Sequence, residues 1–374
     1  MQTKERNATF CILSVIGMIL ILLGHLDFPI LTGGDLFPYY SYHVMIFPFI
    51  SGYFYRPEQE THILSYVKHK CKTLLLPYFI FNLFYGMLAT LLHLAGFSIG
   101  GNISLYNLFI APFMGGHQFL YNAPAWFVPA LFLLEVCNVI GRKILSYLRI
   151  HNEVLIQLLY LAIGCAAVFL SKRGSVYDFY KLPGRIMFLA PCFQFGRLYK
   201  TVLEKRDIAP NCLYFPILLL IQLFLVTTNA GLNFSAVWVS SFANSPLTPY
   251  LTTVTGIALW LRIAKILTPV LGKSRFVQYF GKNTYSVMMH HLFSFFIINS
   301  IFYAVSSLTA FFTDFDRAAF LSDIYYVYLP GGFTQFKWVY LMAGIFLPLG
   351  FCYAVEKIKG YYKNNRNGVN YVDC

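Results

Sequence analysis

The chain has 374 residues, of which 58% are apolar and only 11% charged, and its mean hydropathy is +0.61. A soluble globular chain carries about 25% charged residues, so this composition excludes a soluble domain, a disordered chain, a coiled coil and a small disulfide scaffold. It leaves a polytopic helical membrane protein, in which a net charge of +13 reads as basic residues gathered on the cytoplasmic side and not as a nucleic-acid surface.

A membrane span needs about 20 mainly apolar residues. In chain order such runs fall at 8–30, 37–55, 74–95, 123–142, 154–171, 184–201, 212–229, 250–268, 284–306 and 337–356. They predict an all-α bundle of about ten transmembrane helices in one domain over 1–374, with a short tail from about 357. The first run follows Lys4 and Arg6 and is too long for a signal-peptide core. Only Leu26-Asp27-Phe28-Pro29 comes after it, which is no cleavage site, so it reads as a retained span. The short apolar stretch 104–114, broken by Pro112 and Gly115-Gly116, reads as re-entrant or interfacial. No repeat of 20–50 residues is present.

Charge orients these spans. With the N-terminus inside, only Lys172, Arg173, Lys181, Arg185, Arg317 and Lys337 of the 28 Lys and Arg residues fall outside. That asymmetry places both termini in the cytoplasm. The outer segments 96–122 and 230–249 are instead Gly-rich and aromatic, a place suited to a neutral, hydroxyl-rich ligand. Six of the eight cysteines lie in or beside apolar runs, and no CxxC or Cys/His ligand spacing occurs. Neither a structural disulfide nor a metal site is expected.

Ionisable groups inside spans are costly and tend to mark function. His25 lies near the outer end of the first span and His43 near the outer end of the second. At about 1.5 Å rise per residue both sit roughly 8–9 Å below the outer boundary. Two interfacial histidines solvated by headgroups would look the same, but matched depth, with Asp27 and Asp35 nearby, points to function. A neutral imidazole can act as a general base, and no GxSxG nucleophile motif is present.

Lys68, Lys70 and Lys72 cluster at the inner end of the third span. They serve as a positive-inside anchor or, more sharply, as a patch for the phosphates of a donor such as coenzyme A. Lys68 and Lys72 are four apart and share a helix face. His290 and His291 point about 100° apart on a helix, so at most one faces a given site, and a structural role is the equal alternative. Glu135, deep in the fourth span, is expected to pair with Asn138 or with a basic residue of another span. The segment 307–336, with Asp314, Asp316 and Asp323, reads as a solvated loop, acceptor binding being the alternative.

Several of these residues carry a resemblance. Gly24-His25, then Tyr42-His43 through Phe49-Ile50-Ser51-Gly52-Tyr53, then Lys68 to Lys72 with Leu76-Pro77-Tyr78 come first. Trp126-Phe127 with Leu131-Phe132, and Gly281-Lys282-Asn283-Thr284 leading to His290, follow in the same order. The set, covering about residues 10–300, resembles the acyltransferase-3 family and, within it, the fucose 4-O-acetylase-like branch. The resemblance implies a multi-pass enzyme of the bacterial inner (plasma) membrane. Such an enzyme moves an acyl group, usually acetyl from acetyl-CoA, onto a sugar of a cell-surface or secreted glycan or glycolipid. It implies His25 as the base and Lys68 and Lys72 as the donor-binding pair, Lys standing for Arg, without the Arg fork. His43, Tyr39 or Tyr42 would orient the base or the acceptor, with Trp126 on the acceptor side. One position departs: where the family often has Arg or Lys, eleven residues before the histidine, this chain has Ser14.

Three rival readings share much of this pattern. A transporter or flippase of lipid-linked sugars would also have ten spans and midplane polar groups, but the halves show no repeat. A glycan polymerase or ligase would need more outer-face cations than the chain has. A catalytically inactive homologue is compatible with Ser14.

Overall fold

The computed structural model describes residues 7–28 and 35–369, with side chains described as far as residue 361. Helix accounts for 75% of it and no strand forms among the described residues. The α-helices are α1 (Ala8–His25), α2 (Ile46–Phe54), α3 (Ile63–Lys70), α4 (Leu76–Leu94), α5 (Phe127–Tyr147), α6 (Glu153–Lys172), α7 (Lys181–Leu198), α8 (Asn211–Thr228), α9 (Thr248–Leu271), α10 (Arg275–Lys282), α11 (Thr284–Leu308), α12 (Arg317–Ser322) and α13 (Lys337–Val369). Eight stretches are long and apolar enough to cross a membrane: Ala8–His25, Ile63–Leu94, Ala123–Tyr147, Glu153–Lys172, Asn211–Thr228, Thr248–Leu271, Thr284–Leu308 and Thr334–Tyr361.

Two runs expected as spans take other forms. The run 37–55 becomes a 3₁₀ turn at Tyr39–Ser41 followed by the nine-residue α2, because Tyr42 between them has φ −153° and ψ −19°, neither helical nor extended. The run 184–201 becomes α7, whose 18 residues include Lys181, Arg185, Gln194 and Arg197, too polar for a lipid-facing helix. Both lie inside the bundle. Phe188, Leu189 and Phe193 on α7 and Phe49 on α2 are buried. By contrast α8 buries only Leu218, Gln222 and Leu225, and Leu220, Leu223 and Phe224 are exposed on its other faces, as a lipid-facing helix requires. The stretch 104–114 forms no span. It holds a π-turn at Tyr106–Ile110 and a 3₁₀ turn at Ala111–Phe113.

In lipid, helices associate by close packing of small residues more than by hydrophobic drive. The α2–α7 contact shows why glycine is required. A β-carbon on Gly52 would lie 2.6 Å from the carbonyl carbon of Phe193, and one on Gly196 would lie 2.7 Å from the Tyr53 nitrogen. The backbones therefore touch at this crossing, and α2 is fixed against α7.

The end of the bundle away from His25 is held by ion pairs. Arg142 grips Glu153 through two 2.8 Å hydrogen bonds, and Gln194 and Arg197 donate to the same carboxylate at 2.8 and 3.4 Å. Arg262 and Lys265 each reach Asp207 at 2.6 Å. Burial pushes the Asp207 carboxyl up, but the Lys265 ammonium, the Tyr199 hydroxyl and Arg262 outweigh it and hold it below the usual carboxylate range. Glu135 pairs with Lys70 of another helix at 2.7 Å, the kind of partner expected for it, while Asn138 accepts from Tyr160. Cys71, Cys137, Cys165, Cys192, Cys212 and Cys352 are free thiols.

Candidate active site

α1 runs through the middle of the bundle and is buried along most of its length. Asn7 caps its start, accepting from the Phe10 nitrogen at 3.3 Å. Its last residue is His25, whose imidazole lies 5.1 Å, centroid to centroid, from that of His291 on α11. The Tyr325 ring stacks on the His25 imidazole at 5.6 Å and 7° between planes. His43 stands in the turn that leads into α2. Its Nδ1 is 2.7 Å from the carbonyl oxygen of Tyr39. A carbonyl can only accept, so in the neutral ring Nδ1 carries the proton and Nε2 the lone pair. His291 is fixed the same way, with Nδ1 donating to Val287 O at 3.0 Å.

His25 and His43 open onto one cavity of about 310 Å³. Its walls come from several elements, with Tyr40, Trp126 and Phe234 to Val237 near the histidines. Ser14, Leu74, Thr284 and Tyr285 form the other end. Ser14 and His25 are eleven residues apart on one helix, so the cavity extends roughly 16 Å along α1 at 1.5 Å per residue. Apolar side chains such as Met18, Ile21, Phe47 and Leu131 line its middle. A narrow, mostly apolar passage with polar groups at its ends suits an extended flexible chain that presents a reactive group at one end.

The sequence candidates fall into three places. His25, His43 and Trp126 line the cavity. Tyr39 and Tyr42 do not appear on its walls. Tyr39 supplies the carbonyl that holds His43. Tyr42 is buried, donating to Phe37 O at 3.4 Å and accepting from Trp260 Nε1 at 3.0 Å. The tyrosine on the wall is Tyr40, whose hydroxyl donates to Gly24 O at 3.1 Å and whose ring meets His43 edge-on at 5.1 Å. Lys68 and Lys72 are exposed to solvent outside the cavity. Lys72 belongs to the π-turn Cys71–Leu75, whose Leu74 forms the Ser14 end of the passage.

Tyr40 and Tyr325 were not singled out from the sequence, which also left open which of His290 and His291 takes part. Tyr40 lay between two tyrosines that were. Of the paired histidines, His291 turns to His25, and His290 turns away to bond Tyr85 at 2.8 Å, as the 100° offset requires. Tyr325 comes from the segment 307–336, which had read as a solvated loop. Asp314 in that segment is bound by the Tyr328 hydroxyl, and Asn299 donates to Tyr326 O at 2.7 Å, so the loop is pinned across the His25 end.

Among the described residues no group of three His, Cys, Asp or Glu side chains stands close enough to hold a metal ion. Neutral imidazoles at the end of an apolar passage can take a proton from a hydroxyl. No curated protein and no solved structure matches the chain. A family model described as an acyltransferase domain, that of the acyltransferase-3 family, matches residues 12–357. The chain therefore belongs to the acyltransferase-3 family and is a multi-pass membrane acyltransferase.

Proposed function

We propose that this protein transfers an acetyl group from acetyl-CoA to a sugar hydroxyl of a cell-surface or secreted glycan or glycolipid, as in the fucose 4-O-acetylase-like branch. The observation that carries the reading is the passage itself. It has two histidines at one end, and its other end includes Leu74 of the same π-turn that carries the exposed Lys72. In this reading residues 1–374 form one domain in the inner (plasma) membrane with both termini cytoplasmic, and the interior segment 37–55, which includes α2, and α7 complete ten crossings. The donor phosphates rest on Lys68 and Lys72 at the cytoplasmic surface. The pantetheine arm follows the passage along α1 and brings the thioester to His25.

The acceptor arrives from the outer face. Its hydroxyl oxygen attacks the thioester carbonyl carbon while His25 takes the hydroxyl proton. The tetrahedral adduct then collapses, the C–S bond breaks, and the proton passes from His25 to the departing thiolate. The products are an O-acyl sugar and free CoA thiol. General-base assistance of this kind is worth about 10²–10⁴-fold in rate. His291, next to His25, orients the base, and His43 with Tyr40 and Trp126 holds the acceptor. Tyr39 and Tyr42 act from behind His43. Ser14 lines the donor end of the passage where the family often has a cation, so donor binding relies on the lysines.

The test is acceptor-dependent thiol release by the purified protein in detergent, with acetyl-CoA and a panel of glycans. Release that needs both substrates supports transfer. Uptake of lipid-linked sugar without thiol release would favour a transporter instead.

A further inference from the structure

Three cationic side chains are buried: Arg142, Arg185 and Arg262. A buried charge is normally paired, because leaving water costs several kcal/mol per ion. Arg142 has Glu153 and Glu60, and Arg262 has Asp207. Arg185, at 0% exposure, is paired with no carboxylate among the described residues. Its Nε donates to Val237 O at 2.7 Å and its Nη2 to Gly115 O at 3.0 Å, while Nη1 has no acceptor. The guanidinium lies 4.8 Å from the Trp126 ring.

The place of this group matters. Trp126 and Val237, its two neighbours, both line the cavity that holds His25 and His43. Gly116 packs against Trp126 beside it, and a β-carbon there would lie 2.9 Å from the Trp126 β-carbon and 3.7 Å from Nη1. The glycine adds no side chain at this edge of the guanidinium. One turn earlier on α7, Lys181 sits 4.7 Å over Trp238, so a second cation faces the same region. Two carbonyls and an aromatic face keep the charge in place without neutralising it. An arriving anion would.

We propose that Arg185 anchors an anionic group, a carboxylate or a phosphate, on the acceptor sugar, so that the enzyme acylates an acidic glycan. This deepens the acyl-transfer reading and rests on its outer-face acceptor. It also replaces the neutral ligand that the Gly-rich, aromatic outer loops suggest from sequence.

The experiment is binding to the purified full-length protein, read by tryptophan emission, since Trp126 abuts the guanidinium. The probes are a uronate-containing oligosaccharide, a sugar phosphate, and a neutral oligosaccharide of equal length. The uronate and phosphate arms tell carboxylate from phosphate. At least one acidic probe is expected to bind about 10-fold or more tighter than the neutral one, the range of a charge-assisted hydrogen bond, and to weaken with salt. Arg185→Gln is expected to erase the preference. Arg185→Lys, which keeps the charge and loses the fork, is expected to keep it at lower affinity. Equal binding of all probes by the wild type, or an undiminished preference in Arg185→Gln, overturns the proposal. If Arg185→Gln does not fold, loss of all preference in a folded Arg185→Lys overturns it as well. Thiol release separates the two readings. An acidic preference without any transfer would sink the acyltransferase reaction and leave the anion site standing. Transfer that Arg185→Gln slows equally for acidic and neutral acceptors would do the reverse.

Discussion

Replacing Gly52 by alanine should loosen the bundle and disable the site together. The added carbon would sit 2.6 Å from the Phe193 carbonyl carbon, whereas ordinary contact begins at 3.4 Å. The obstacle is backbone on α7 and cannot rotate away, and the Phe193 carbonyl oxygen lies nearer still, so α2 must shift by more than about 1 Å. Overpacking of this kind costs about 1–3 kcal/mol. α2 also carries Ile50 and Ser51 on the cavity wall and follows directly from His43. A misplacement of about 1 Å can cost roughly 10²-fold in rate. Thermal unfolding in detergent and acceptor-dependent thiol release, measured on the same Gly52→Ala preparation, should both fall. A variant with wild-type Tm and wild-type rate would refute the close α2–α7 crossing.

Three further outcomes follow from the same structure. Glu153→Gln removes the carboxylate that pairs Arg142 and Arg197 and should cost about 2 kcal/mol, less than breaking a fully buried pair, because Glu153 is half-buried and Glu60 still faces Arg142; an unchanged unfolding midpoint would show the cluster to be idle. The Asp207 carboxyl is held below its usual range by Lys265, Tyr199 and Arg262 against its own burial, so its stabilising contribution is complete above the unfolded pKa of about 3.9. It is lost as pH falls through the lower folded value, so the Tm gap between wild type and Asp207→Asn should be constant at neutral pH and close only below about pH 4. A gap that closes near pH 6 would contradict this. Ser14→Arg should lower the KM for acetyl-CoA, because it returns a cation to the donor end of the passage; a raised KM with an intact fold would place the donor elsewhere.

Long apolar helices were the most legible part of the chain, since hydropathy alone marks them. α2 and α7 were harder. They are interior elements, and their polar residues and glycines serve helix–helix contact, which a count of apolar residues does not see. Matched depth along two helices placed His25 and His43 together, and the structure sets them on one cavity. The choice among Tyr39, Tyr40 and Tyr42 could not be read the same way. A 3₁₀ turn and the non-helical backbone of Tyr42 reset the angular register there. The side of α11 that faces His25 likewise depends on how that helix is rotated, so His290 and His291 stayed equivalent until packing separated them. Tyr325 comes from an irregular segment with no period to read. Arg185 counted in the sequence only as one of the few outer cations, because its missing counter-charge is visible only in three dimensions.

The most direct measurement compares acceptor-dependent thiol release by wild type and His25→Ala, after thermal unfolding has shown both to be folded. Loss of the release by about 10²–10⁴-fold, the range of general-base assistance, is the expected result and would place the base at the C-terminal end of α1. A folded His25→Ala protein with full transferase activity would contradict the assignment.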